Sequence, residues 1–276
     1  MKEFDLTPRA TPGASATRTA SGLRMEIPAG PRGTYRLAQF DDYARRPRRL
    51  FPHAPPRTLS LRARVSAGAL PGTWGFGLWN DPFGLSLGFG GTTFRLPCLP
   101  EAAWFFYGSP ENSLSLQPCH CERSEAISRH ARGLLRRSAP RNDIPSSDFF
   151  AGTFAAPRIP SLLLAPAILG LPMLAIRPLS RWLRRLAGKL IRQDGASVRV
   201  DVTEWHDYKI EWQSRLCRFC VDDVPALETP LAPSGPLGLV IWLDNQYAAW
   251  GPDGRPGYGT LANPAAWLEV EELAIC

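Results

Sequence analysis

The chain has 276 residues, 44% of them hydrophobic, with 24 glycines, 28 prolines and nine tryptophans. This is enough for one sizeable core, and the abundance of turn-forming residues favours many short strands over a helical bundle. The net charge of +7 gathers in arginine patches at residues 45–49, 129–141 and 181–192, which read as solvated loops, so nucleic acid is not an expected partner.

Residues 1–20 are polar and form either a loose lead-in or an edge strand; they contain no apolar run of the kind that opens a secretory signal, so a cytoplasmic location is expected. Leu23, Met25 and Ile27 alternate with Arg24 and Glu26 at strand period, and residues 35–40 (YRLAQF) form a second short strand. Prolines break residues 44–57 into loop. Leu59, Leu61, Ala63 and Val65 then share one face of a strand, with Ser60, Arg62 and Arg64 on the other. In residues 72–79 (GTWGFGLW) small and aromatic residues alternate, so the glycines admit close approach by a neighbour. Residues 102–107 (AAWFFY) are a further apolar strand. Toward the C-terminus, residues 205–212 (WHDYKIEW) alternate, Asp222 and Asp223 turn the chain after a strand at 216–221, and strands follow at 237–243 and 267–275.

The middle differs from these flanks. Residues 118–144 carry six arginines against three acids and no strand alternation. Residues 119–127 (CHCERSEAI) and 134–143 (LLRRSAPRND) resemble the translated product of short palindromic repeat elements scattered through bacterial genomes. The segment is therefore expected to be a passenger insertion in a tolerant exposed loop. Residues 159–176 are uncharged and long enough to suggest a membrane span, but Pro160, Pro166 and Pro172 interrupt them. Leu179, Trp182, Leu183, Leu186, Leu190 and Ile191 follow helical spacing, with Arg181, Arg184, Arg185, Lys189 and Arg192 between them. This basic amphipathic helix either lies on an anionic membrane surface, with Trp182, Arg181, Arg184, Arg185 and Lys189 as contacts, or packs against the sandwich. The apolar loop and helix together, residues 157–193, are taken as an insertion within one domain spanning 1–276.

Three segments resemble the family 16 glycoside hydrolases of the concanavalin-A-like lectin and glucanase superfamily: residues 72–79, the pair 205–212 and 218–222 (RFCVD), and residues 267–273 (WLEVEEL). The resemblance implies an all-β jelly-roll sandwich of two antiparallel sheets with a concave sugar-binding face. Enzymes of that family use an ExDxxE strand, with two carboxyls as nucleophile and acid/base. A β-bulge can bring the last Glu of such a strand onto the face of the first. Alignment on Tyr107 sets Glu101 at the first Glu, Ala103 at the Asp and Phe106 at the second Glu, leaving one carboxyl of three.

The expected function is accordingly a non-catalytic sandwich binding a glycan or glycolipid headgroup. The alternative is a divergent glycoside hydrolase or transglycosylase on a β-glucan-like polysaccharide, using Glu101 and an unidentified partner. Trp74, Trp79, Trp104 and Trp242, with Asp244, Asn245, Gln246 and Tyr247, either line the sugar groove or, for the tryptophans, fill the core. No metal or cofactor is expected. Cys119 and Cys121 lie in the passenger segment, and Cys217 and Cys220 stand three apart on a strand, facing opposite ways. The six cysteines are too sparse for a disulfide framework and are expected reduced.

Overall fold

Alternation along the strands decides which side chains enter the core. The structure is a computed structural model and describes residues 5–82, 95–112, 148–160, 162–164, 176–250 and 255–276. The expected passenger, residues 118–144, lies outside the described residues, as do 161 and 165–175 of the apolar stretch.

In chain order the strands are β1 (Thr7–Ala10), β2 (Ser15–Arg18), β3 (Gly22–Ile27), β4 (Leu37–Asp41), β5 (Arg57–Val65), β6 (Thr73–Trp79), β7 (Ala102–Gly108) and β8 (Asp148–Ala155). After helix α1 (Arg177–Leu190) come β9 (Arg192–Ser197), β10 (His206–Gln213), β11 (Leu216–Val221), β12 (Val224–Thr229), β13 (Gly238–Asp244), β14 (Gln246–Trp250), β15 (Pro256–Thr260) and β16 (Ala266–Ile275). Among the described residues they form two seven-stranded sheets and a separate hairpin of β14 and β15. The first sheet runs β1-β4-β13-β6-β7-β8-β9 and the second β12-β11-β10-β5-β16-β3-β2. The pairings are antiparallel, and the sheets pack face to face in the jelly-roll sandwich that the resemblance implied. The first twenty residues supply an edge strand to each sheet, β1 to one and β2 to the other.

The second sheet follows its hydropathy pattern closely. Leu59, Leu61, Ala63 and Val65 of β5, Tyr208, Ile210 and Trp212 of β10, and Leu268 and Val270 of β16 are buried in the main core. Their alternates face solvent, where Arg64 lies over the rings of Trp205 and Trp267 at 4.7 and 5.3 Å and pairs with Glu269 at 2.9 Å. Asp222 and Asp223 turn the β11–β12 hairpin with φ of 50° and 60°, a conformation that short Asx side chains tolerate.

The first sheet carries apolar side chains on both faces. Inward go Trp74, Phe76 and Leu78 of β6, Ala103, Phe105 and Tyr107 of β7, and Leu239, Ile241 and Leu243 of β13. Outward go Trp79, Trp104, Phe106, Val240 and Trp242, which join Leu37, Tyr43 and Phe51 in a second aromatic cluster. The loop carrying Tyr43 and Phe51 is held by two arginines. Arg95 is buried and donates to the carbonyls of Tyr43 and Ala44 while pairing with Asp81 at 2.7 Å, and Arg48 donates to the carbonyls of Asn80 and Asp81. Arg48 is thus a bracing residue, unlike its exposed neighbours Arg45, Arg46 and Arg49.

Candidate functional site

The outer face of the first sheet is built in rows by strand register. Trp242, Gly75, Phe106 and Phe150 stand opposite one another across β13, β6, β7 and β8. The next row is Val240, Gly77, Trp104 and Gly152, and the third is Gly238, Trp79, Ala102, Phe154 and Gln193. Large rings therefore alternate with glycines. A Cβ at Gly75 would sit 2.8 Å from the Trp242 ring, and one at Gly77 would sit 2.5 Å from the Trp104 Cβ. The close approach that the glycines of residues 72–79 promised is thus made at Gly75 by the Trp242 ring and at Gly77 by the β7 chain at Ala103 and Trp104.

Trp104 is the hub. Its ring centroid lies 5.4 Å from Phe106, 5.8 Å from Phe154, 5.8 Å from Trp242 and 6.0 Å from Trp79. Trp242 donates its indole N–H to Thr73 Oγ1 at 3.0 Å. Trp104, Trp79, Phe106 and Phe154 are only half-buried. Among the described residues, the Trp104 indole N–H and both polar atoms of the Gln193 amide have no hydrogen-bond partner, although Gln193 is only 2% exposed. A buried amide left in this state costs about 1–3 kcal/mol, and such groups in native structures call for an explanation. Gln193 was not singled out from the sequence because it falls inside the stretch taken as an insertion. The structure makes residues 192–197 the edge strand β9, so the first sheet already resumes within that stretch.

At one end of the face stands Asp244. It accepts hydrogen bonds from Thr73 Oγ1 at 2.9 Å, the Gln246 N–H at 3.1 Å and the Tyr35 hydroxyl at 3.4 Å. Burial raises its carboxyl to about 7 despite those bonds, and burial with the Asp244 charge raises the Tyr35 phenol. The folded-state value exceeds the ordinary 3.8, so between the two the folded chain keeps a proton that the unfolded chain has lost. The corresponding stability is fully present below about 3.8 and is lost as pH rises through about 7. Asp244→Asn is therefore expected to flatten the fall in unfolding free energy across that window, by a few kcal/mol at neutral pH. Denaturant titrations at a series of pH values check this; equal slopes in variant and parent would refute it.

The other expected site residues divide. Trp79, Trp104 and Trp242 come together on the outer face. Trp74 does not. Its position has the opposite parity, and its ring is buried in the core, stacked on Phe149 at 4.8 Å and Tyr107 at 5.6 Å. Asn245 is fully buried and spends its side chain on backbone, accepting from Arg36 N–H at 2.9 Å and donating to the carbonyls of Thr34 and Leu261. Gln246 and Tyr247 are half-buried in β14, paired with Thr260 and Gly259.

The strand aligned with the ExDxxE pattern, β7, departs from it. β7 pairs without interruption from Ala102 to Gly108 on both sides, so no bulge re-aims a residue. Strict alternation puts Ala102, Trp104, Phe106 and Gly108 on the outer face, and Ala103 in the core. None of the outward positions on β6 or β7 is a carboxylate, and on β8 the first residue, Asp148, opposite Gly108, is. Glu101 precedes the strand and is buried; its Oε1 accepts from the Ser234 hydroxyl at 2.6 Å and the Ser234 N–H at 2.8 Å. It ties β7 to the loop before β13. Glu101→Gln is expected to lower the unfolding free energy by about 1–3 kcal/mol in chemical denaturation, since both bonds end on a charged acceptor. An unchanged midpoint would argue against this structural tie.

Among the described residues no group of three metal-ligating side chains comes together. Cys217 faces the core beside Phe219, and burial raises its thiol to about 12. Cys98, Cys217, Cys220 and Cys276 are free. His206 is a hairpin brace, 2.6 Å from Asp222 and 3.1 Å from the Asp201 carbonyl.

No protein-family model matches the chain, and no curated protein sequence matches it. Solved structures of similar shape include the Bacteroides ovatus mixed linkage glucan PUL GH16 in complex with a G4G4G3G product, at 8% identity and a TM-score of 0.45, covering 100% of this chain and 96% of that one. A glycosyl hydrolase family protein from Mycobacterium fortuitum is 12% identical with a TM-score of 0.45, covering 98% of this chain and 91% of that one. The carbohydrate binding module CBM66 from Bacillus subtilis is 7% identical with a TM-score of 0.37, covering 98% of each chain.

Proposed function

We propose that this protein is a non-catalytic β-sandwich that binds a neutral glycan on the outer face of its first sheet, as a polysaccharide or as the headgroup of a glycolipid. The observation that carries the reading is the joint character of the face. Half-buried rings centred on Trp104 offer flat apolar surface for the C–H faces of sugars. The Gln193 amide and the Trp104 indole N–H lie closed off beneath this surface without a protein partner, and a sugar hydroxyl reaches them once a side chain beside them moves aside. A sugar hydroxyl, which both donates and accepts, matches that set. Apolar walls with a few placed polar groups are the ordinary composition of a small-ligand site. β7, the strand aligned with the ExDxxE pattern, brings no carboxylate to the face, and Asp244 at the end of the face is tied up by Thr73, Gln246 and Tyr35, which supports binding without hydrolysis.

The test is affinity electrophoresis of the whole protein through a panel of neutral polysaccharides, with vesicles of a neutral glycolipid in phosphatidylcholine as a further arm. Retardation or vesicle capture by at least one ligand, lost in Trp104→Ala, is expected. No retention by any ligand would overturn the proposal. Release of reducing ends from the same polysaccharides, abolished in Glu101→Gln, would overturn its non-catalytic part.

A further inference from the structure

Helix α1 has no part in the glycan site, and it leaves one side of its apolar stripe exposed. Surface helices ordinarily turn their apolar stripe to the core. Here Leu179, Leu183 and Leu190 are half-buried while Trp182 and Leu186 are not, and two hydrogen bonds fix which side meets the body. Ser180 is buried and accepts from the Trp250 indole N–H at 2.9 Å, and Arg184 Nε donates to the Trp250 carbonyl at 3.0 Å. The helix is thereby docked on the β14–β15 hairpin by its Ser180–Arg184 side. At about 100° per residue this turns Trp182 and Leu186 outward, with Arg181, Arg185 and Lys189 along the adjoining flank. Trp182 is 55% exposed and Leu186 39%, and Ile176, just before the helix, is 53% exposed. Leu162 and Leu163, earlier in the same stretch, are exposed as well. From Ile159 to Gln193 the sequence has six basic residues and no acidic one.

We propose that this outward face of α1 rests on the surface of an anionic lipid bilayer. Trp182 and Leu186 enter the boundary between headgroups and acyl chains, and Arg181, Arg185 and Lys189 lie along the lipid phosphates. The charge pattern selects this occupant. A run of cations without an acid complements a continuous anionic surface, and an exposed Trp beside them suits the interface, where one edge of the ring is wet and the other apolar. No described helix is long and apolar enough to cross a membrane, so the contact is peripheral. Each basic side chain near such a surface strengthens binding roughly fivefold at physiological salt. None of these helix residues lies on the outer face of the first sheet.

Flotation of the whole protein with extruded vesicles decides it. Binding is expected to phosphatidylcholine mixed with phosphatidylserine, weakened by added salt, and absent with phosphatidylcholine alone. The double substitution Trp182→Ala with Leu186→Ala keeps every charge and is expected to weaken binding roughly tenfold or more. Arg185→Glu with Lys189→Glu should do at least as much. Arg45→Glu with Arg49→Glu makes the same change in net charge elsewhere and should alter binding less than about twofold. All six positions are exposed, so thermal midpoints should stay close to the parent's and exclude misfolding as the cause. Three results would overturn the proposal. These are failure to bind the anionic vesicles, equal binding by the Trp182→Ala, Leu186→Ala variant, and an equal loss in the Arg45→Glu, Arg49→Glu variant. Tighter capture of a DNA duplex than of anionic vesicles would likewise overturn it, as general polyanion binding.

Discussion

Trp212→Ala is expected to lower the unfolding free energy by about 3–5 kcal/mol, the range for a large ring removed from a closed core. Trp212 is fully buried on the inner face of β10, and its indole N–H donates to the Pro233 carbonyl at 2.9 Å. The ring lies so close to Gly235 that a Cβ there would be 2.8 Å away. It thus pins the second sheet to the loop at 233–236, the same loop whose Ser234 holds Glu101 at the start of β7. Its removal leaves a cavity, orphans a carbonyl and loosens the tie between the sheets. Trp212→Phe keeps most of the ring and should cost about 1–2 kcal/mol, mainly the lost hydrogen bond and a smaller void. Chemical denaturation of both variants reads the difference. A loss under about 1 kcal/mol for the alanine variant would contradict the core placement.

The second large effect is expected on the opposite side of the first sheet. Trp104→Ala removes the ring that touches four others and should weaken glycan binding roughly tenfold to a hundredfold, the range for a central aromatic anchor. Gln193→Leu gives a more discriminating result because its two effects have opposite signs. Replacing a buried amide that has no protein partner by an apolar side chain of similar size is neutral or stabilising for the free protein. The same substitution withdraws the donor and acceptor offered to a sugar hydroxyl. A raised or unchanged thermal midpoint together with a loss of affinity of roughly tenfold is expected. Lowered stability with unchanged affinity would show that Gln193 is a structural residue.

Most of the second sheet was legible in the sequence because one of its faces is wet. Alternation of Leu59, Leu61, Ala63 and Val65 with arginines, and of Tyr208, Ile210 and Trp212 with Lys209 and Glu211, assigns inward and outward positions directly. The first sheet gives no such contrast. Five consecutive residues of β6, from Trp74 to Leu78, are buried, and all seven of β13 are. Parity still held the answer: Trp74 and Trp79 stand five apart on one strand and must face opposite ways, so they could not both line a groove. β8 lay just beyond the expected passenger segment, and its sequence DFFAGTFA mixes small and large apolar residues without alternation. β9, with the sequence RQDGAS, has almost no apolar signal, because an edge strand of small and polar residues is held by its ladder to β8. Asn245 shows the converse limit. A polar residue among aromatics invites a ligand role, but its amide is consumed by three backbone groups that only the folded loops bring near. The basic helix was legible in extent, while the exposure of Trp182 and Leu186 depends on Ser180 and Trp250, which are seventy residues apart.

The two sides of the first sheet divide its aromatic residues between the core and an outer cluster centred on Trp104. The most direct measurement is a crystal structure of the protein with an oligosaccharide from whichever glycan the panel shows to bind. A sugar ring stacked on Trp104 on the outer face of the first sheet, with a hydroxyl bonded to the Gln193 amide, is expected. An oligosaccharide bound instead on the second sheet, against Trp205 and Trp267, would contradict this placement.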